Sequence, residues 1–155
     1  MQTVEHLRGL LEYDAWANRR TIEALESEPS QPAQQILAHL LITEQEYFER
    51  LGGKDSTGFD FWPDLTMERS ALLARSIHVN YSSLLEDADE SLLERTAKYM
   101  TSEGVPYENT YRELLTHVLI HSSIHRGNIV LKMREEGLEP PKIDYILYLR
   151  QMRRE

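Results

Sequence analysis

Three of the six histidines in this chain fall within nine residues, as HVLIHSSIH at His117, His121 and His125, and a fourth, His39, stands in a separate segment. Histidines four apart project from one side of a helix about 6 Å up its axis, close enough for two imidazoles to reach one ion at roughly 2.0–2.1 Å. Residues eight apart are separated by about 12 Å and cannot share it. His121 therefore belongs to any ligand pair, with either His117 or His125 as its partner. H-x-x-x-H alone is a weak pattern, since core and surface histidines produce it as readily. His39 strengthens the metal reading because bundles build such sites from side chains on facing helices.

Other chemistries are excluded by what is missing. With no cysteine, disulfides, thiolate cages and a cysteine nucleophile are ruled out, leaving His, Asp and Glu as strong ligands. No Glu stands three residues before a His, so the di-iron pattern of ferritin-like bundles is missing; no His is followed by Glu, which removes the H-E-x-x-H metalloprotease motif. A formal charge of -9 argues against a surface that tracks phosphates. The basic cluster Arg150, Arg153 and Arg154 reads as a solvated helix end. No stretch approaches the run of about 20 apolar residues of a membrane span, and the N-terminus lacks a basic region followed by an apolar one. A soluble, cytoplasmic protein with no nucleic-acid or membrane partner is expected.

Helices must position these side chains. Residues 3–27 form an amphipathic pattern through Val4, Leu7, Leu11, Ile22 and Leu25, interrupted by Asp14 and Asn18. Ser30 and Pro32 signal the start of a second helix, which runs to about Leu51 and stops at Gly52 and Gly53. Residues 54–64, KDSTGFDFWPD, lack helical period and predict a crossover loop packed by its own rings. Thr66 and Glu68 open a third helix carried by Leu72, Leu73, Ile77, Tyr81, Leu84 and Leu85. The spacing between Leu92 and Tyr107 predicts a short hairpin turning at Glu103-Gly104. Thr110 and Glu113 form a T-x-x-E capping box before the apolar-periodic run Leu114 to Met133, which Gly137 and Pro140 end. A last short helix from the Asp144 cap uses Tyr145, Ile146 and Leu149 to cover one end of the core. The expected fold is mainly all-α: one domain, residues 1–155, as a four-helix bundle with a crossover loop, a β-hairpin and a short C-terminal helix.

Four segments, EYDAWANRR, AHLLITEQEYF, DFWPDLT and THVLIHSSIHRGNIVLKMREEGLEPPKIDYILYLRQ, resemble the DinB family in order over nearly the whole chain. The resemblance implies a four-helix bundle, usually a homodimer. It also implies a metal held by one histidine of helix two and the H-x-x-x-H of the last long helix, here His39, His121 and His125. His117 has no ligand role in that pattern and becomes a core or pocket-wall residue. Nickel or zinc is the implied ion, with iron or manganese behind them. Thiol-dependent S-transferases and isomerases among the relatives imply a low-molecular-weight thiol as cosubstrate.

Three neutral imidazoles leave coordination positions open, the arrangement of catalytic sites. The expected activity is that of a metal-dependent transferase acting on a small-molecule substrate through a thiol, or of a hydrolase using metal-bound hydroxide. The alternative is a non-catalytic stress- or damage-responsive binding module whose metal is structural or absent. Around the site, Thr43 and Glu46 share the His39 face, and either can hydrogen-bond a ligand or act as base, with an exposed ion pair as the plainer role for Glu46. Asp14 and Asn18 read as buried polar groups satisfied by a neighbouring helix, or as partners of a ligand histidine. Trp16, Trp62 and Tyr47 are candidate pocket walls or core. Arg126 reads as a salt bridge, or as a contact to an anionic substrate group. His6 and His78 have no companion in the pattern.

Overall fold

A computed structural model describes residues 3–154. The order is α1 (Thr3–Ser27), α2 (Gln31–Leu51), α3 (Met67–Leu85), α4 (Glu90–Leu93), β1 (Thr96–Met100), β2 (Pro106–Thr110), α5 (Tyr111–Glu135) and α6 (Tyr145–Arg154). The long helices begin where local chemistry satisfies free backbone amides. Ser30 accepts from Ala33 N with Pro32 in the first turn, Thr66 accepts from Arg69 N, and Thr110 and Glu113 complete a reciprocal capping box. After α2 the chain reverses through Gly53 at φ +85°, where a Cβ would stand 3.2 Å from the Lys98 carbonyl. Only glycine fits both constraints.

Helix α2 packs chiefly on α5 and α1 chiefly on α3, and the bundle closes through α2 on α3 and α1 on α5. Its core holds Leu7, Leu25, Leu37, Leu40, Leu41, Leu85, Leu115, Ile129 and Met133. Each such side chain contributes about 1.5–3 kcal/mol on leaving water. No described helix is long and apolar enough to cross a membrane.

Several expectations need correction. Residues 90–93 form a helical turn capped by Asp89, so the hairpin is shorter at its start and longer at its end than expected, pairing Thr96 with Thr110 and Met100 with Pro106. Leu93 fills the core from that turn. Leu72 is 51% exposed, because the buried side of α3 is carried by Ile77, Tyr81 and Leu85. At α6, Ile146 faces solvent and Tyr148 instead joins Tyr145 against Tyr13, whose hydroxyl donates to the Ile143 carbonyl at 2.5 Å.

The hairpin anchors the crossover loop. Ser56 N donates to Met100 O and Gly58 N to Ser102 O, so the loop runs alongside β1 before turning back over α2 and α5. That path delivers Phe61 and Trp62 to the histidines.

Candidate metal centre

His39 is buried on α2, and His121 and His125 lie half-buried on the facing side of α5. Their ring centroids are 5.0 Å (His39–His121), 4.6 Å (His39–His125) and 4.4 Å (His121–His125) apart. One ring nitrogen from each lies within 4.8 Å of the others. Nitrogens bound to one ion at 2.0–2.1 Å are at most about 4.2 Å apart, so modest ring rotation brings all three onto a shared ion.

The crossover loop fixes the tautomer of His39. Its Nδ1 lies 2.5 Å from the Phe61 carbonyl. A carbonyl can only accept, so Nδ1 carries the proton and the Nε2 lone pair is free for a cation. Trp62 lies flat on the same ring, 3.8 Å between centroids and 1° between planes, although the indole is 56% exposed. His121 Nδ1 is sealed from solvent without a hydrogen-bond partner. An orphaned buried nitrogen beside two further imidazoles is what a divalent ion would satisfy. Asn128 approaches His125 Nδ1 at 3.4 Å.

Electrostatics keep the rings neutral. Burial, then the neighbouring His125, His39 and His117, pull the His121 pKa down to about 4. Burial lowers His39 against the opposing effect of the Phe61 carbonyl, and burial followed by His39 lowers His125. At pH 7 the group presents uncharged donors, the form a metal needs.

The remaining candidates divide between this groove and a separate network. His117 is outside the three-histidine group and exposed rather than in the core; it stacks on Tyr47 with centroids 4.8 Å apart and lies 5.6 Å from His121. Thr43 Oγ1 donates to the His39 carbonyl at 2.7 Å, bonding the backbone of that turn. Glu46 is buried, not exposed, and pairs with Lys54 at 2.5 Å. Trp16 packs against Tyr13 and Tyr148 beside α6. His78 has a companion after all, Glu12 Oε2 at 2.9 Å.

Asn18 and Arg126 belong to a buried cluster on the side of α5 turned toward α1. Arg126, 1% exposed, donates to Asp14 Oδ1 at 2.6 Å and Asn18 Oδ1 at 2.8 Å. Glu44 Oε2 accepts from Asn18 at 3.0 Å and Ser122 at 3.0 Å, and its backbone carbonyl accepts from Tyr81. Burial first, and then the adjacent Asp14 carboxylate, raise the Glu44 pKa well above the usual range. Glu44 thus holds a proton that its otherwise unpartnered Oε1 can offer to Asp14. The cluster ties α1, α2, α3 and α5 together directly behind the histidine-bearing turns of α5, since Ser122 and Arg126 follow His121 and His125 in the chain. The Phe61 carbonyl, Arg50, Glu44 and Ser122 had no signal in the linear pattern.

Fold and site together define a helical bundle with a three-histidine group able to hold a metal ion between facing helices. The chain belongs to the DinB family, whose family-wide sequence pattern matches residues 1–155. A curated relative, Protein DinB of Bacillus subtilis strain 168, is 25% identical over 159 residues, covering 90% of this chain and 91% of the relative. Two solved structures share the fold. A DinB-like protein from Bacillus cereus superposes with TM-score 0.68 at 16% identity, over 91% of this chain and 97% of that one. A DinB-like protein from Bacillus subtilis gives 0.54 at 20% identity, over 90% and 94%.

Proposed function

We propose that His39, His121 and His125 hold one divalent transition-metal ion, nickel or zinc, and that the protein uses it to activate a low-molecular-weight thiol for transfer to an electrophilic small molecule. The observation that carries this reading is the convergence of three neutral imidazoles, one with an orphaned buried nitrogen, at the surface of a bundle. The ion supplies Lewis acidity, which makes a thiol a nucleophile at neutral pH.

The chain's own residues set the conditions for that chemistry. The Phe61 carbonyl and the Trp62 indole hold the His39 ring in one orientation and one tautomer. An open recess of about 260 Å³ adjoins His125, lined by Ile36, Trp62, Asn128, Leu131, Lys132 and Glu135, and gives an electrophile a place beside the site. In the transfer a sulfur–carbon bond forms, the bond from carbon to its leaving group breaks, and the thiol proton passes to solvent. A homodimer is part of the same reading, supported by the exposed Ile120 and Ile124 on α5; light scattering of the purified chain tests it.

The test combines metal analysis with turnover. Native protein should bind one equivalent of zinc or nickel, and the loaded form should consume cysteine or glutathione with a panel of alkyl and aryl halides faster than buffer does. Thiol consumption no faster than the buffer control would sink the transferase reading. Ester cleavage without thiol, abolished by a chelator, would redirect it to hydrolysis.

A further inference from the structure

Arg50 is 4% exposed, yet no carboxylate among the described residues lies within 4.0 Å of its guanidinium. Its one hydrogen bond to the described protein runs from Nε to Ser56 Oγ at 3.1 Å. The two Nη groups donate to no protein acceptor and are not sealed from solvent. Arg126, by contrast, has its carboxylate in place. Glu46, one turn before Arg50, pairs with Lys54 through Oε1, and its buried Oε2 has no partner and lies more than 4.0 Å from the Arg50 nitrogens.

Three rings surround this cation. Cζ lies 4.7 Å from the Tyr47 centroid, 5.5 Å from Phe61 and 4.8 Å from Tyr99. Aromatic faces attract a guanidinium but carry no net charge, and they leave its fork of donors unused. A nearly buried arginine with two free donor groups matches the recognition geometry of a carboxylate, which accepts both through parallel bonds.

Its position connects it to the histidine group. Arg50 follows His39 by eleven residues, about 16 Å along the α2 axis, but helical side chains lean toward the N-terminus. The guanidinium accordingly reaches back over Tyr47 and to Phe61, whose carbonyl holds His39. On the α5 side, His117 bridges from Tyr47 to His121. Arg50 and the three histidines are thus joined by two short chains of contact, one through Phe61 and one through Tyr47 and His117.

We infer that Arg50 is the anchor for a carboxylate on the small molecule this protein takes, with the far end of that molecule directed to His39, His121 and His125. The direction rests on the proposed function; the carboxylate contact does not, because it needs no metal.

The test uses the metal-free full-length chain. Hexanoate, glutarate and 3-mercaptopropionate are titrated beside the corresponding amides while the Arg50 Nε–Hε resonance and binding heat are followed. The expected result is that carboxylates shift the resonance and amides do not. Arg50→Lys should weaken binding about tenfold or more, and Arg50→Gln further, whereas the equal charge change Arg75→Gln on the exposed face of α3 should leave it intact. An unmoved Arg50 resonance in the native chain, or carboxylate binding equal in Arg50→Lys and native protein, would overturn the inference and leave Arg50 as a packing cation. The native-chain resonance decides the matter even where a variant fails to fold, and metal analysis of histidine variants reports separately on the metal reading.

Discussion

Replacing Asp14 and Glu44 singly and together probes how the buried cluster distributes one negative charge. Arg126 is the cation it must neutralise, and Asp14 is the carboxylate in direct contact at 2.6 Å. Breaking a buried pair by removing one partner costs about 3–5 kcal/mol when the remaining charge is left alone. Here it would not be alone. Asp14→Asn removes the charge that helps raise the Glu44 pKa, while the attraction of Arg126, which lowers that pKa, persists. Glu44 then ionises and takes over, so the single variant should lose only about 2 kcal/mol, below the full penalty for an isolated buried charge. Glu44→Gln replaces a group already neutral, keeps an oxygen for Asn18 and Ser122, and should cost about 1 kcal/mol or less. The double variant leaves Arg126 without any anion and should reach about 4–5 kcal/mol. The coupling is thus about 1–2 kcal/mol, measurable from urea midpoints at pH 7 with unchanged m-values. Additivity within about 0.5 kcal/mol would refute the shared-charge account. The pH dependence gives an independent reading. A carboxyl whose folded pKa is raised contributes stability below its unfolded value, near 4.5, and loses it as pH rises through the folded value. Native protein should show that loss, and Glu44→Gln should lack it.

Alanine at His39, His121 or His125 should each reduce metal retention by at least about tenfold, whereas His117→Ala should keep one equivalent, as read by elemental analysis after desalting. Trp62→Ala should weaken metal binding about tenfold with little loss of fold stability, because the indole orients His39 yet is itself exposed; competition with a chromogenic chelator measures it. Tyr13→Phe should loosen α6 by about 1 kcal/mol through loss of the Ile143 contact, seen as faster amide exchange in residues 145–154 alone. Metal-free protein should lose stability as pH falls from about 6.5 toward 4, since the unfolded chain then takes up protons that the depressed His121 resists; after allowance for its partial exposure the loss is about 1–2 kcal/mol by thermal denaturation, and His121→Ala should abolish most of it.

The four long helices were readable because each has an apolar period, and the caps at Ser30, Thr66 and Thr110 and the glycines after α2 and α5 agree with it. Helix α5 is the clearest case, with Thr110, Glu113 and the Leu114–Met133 run all pointing the same way. The hairpin was harder, since Leu92 and Leu93 carry strand-compatible side chains while Asp89 caps a helical turn that places Leu93 in the core. Leu72 misled because a partly apolar helix has more leucines than its buried face uses. At the site, His39 and the H-x-x-x-H were visible as residue types, but a sequence does not display the backbone carbonyl of Phe61 that sets the His39 tautomer. Glu44 and Arg50 looked like ordinary polar positions in the run TEQEYFERL, where charged residues on a helix read as solvated. Each is buried only because a distant element, α1 and α5 for one and the crossover loop for the other, closes over it.

The indole lying flat on His39 makes the centre optically legible. This chain has only two tryptophans, and Trp16 packs between Tyr13 and Tyr148 beside α6. Emission from Trp62 therefore reports occupancy at close range: an open-shell ion such as nickel should quench it, and zinc, with its filled d-shell, should change it only through the posture of the ring beneath. Uptake and loss of an added ion would then be timed in the unlabelled protein by light alone.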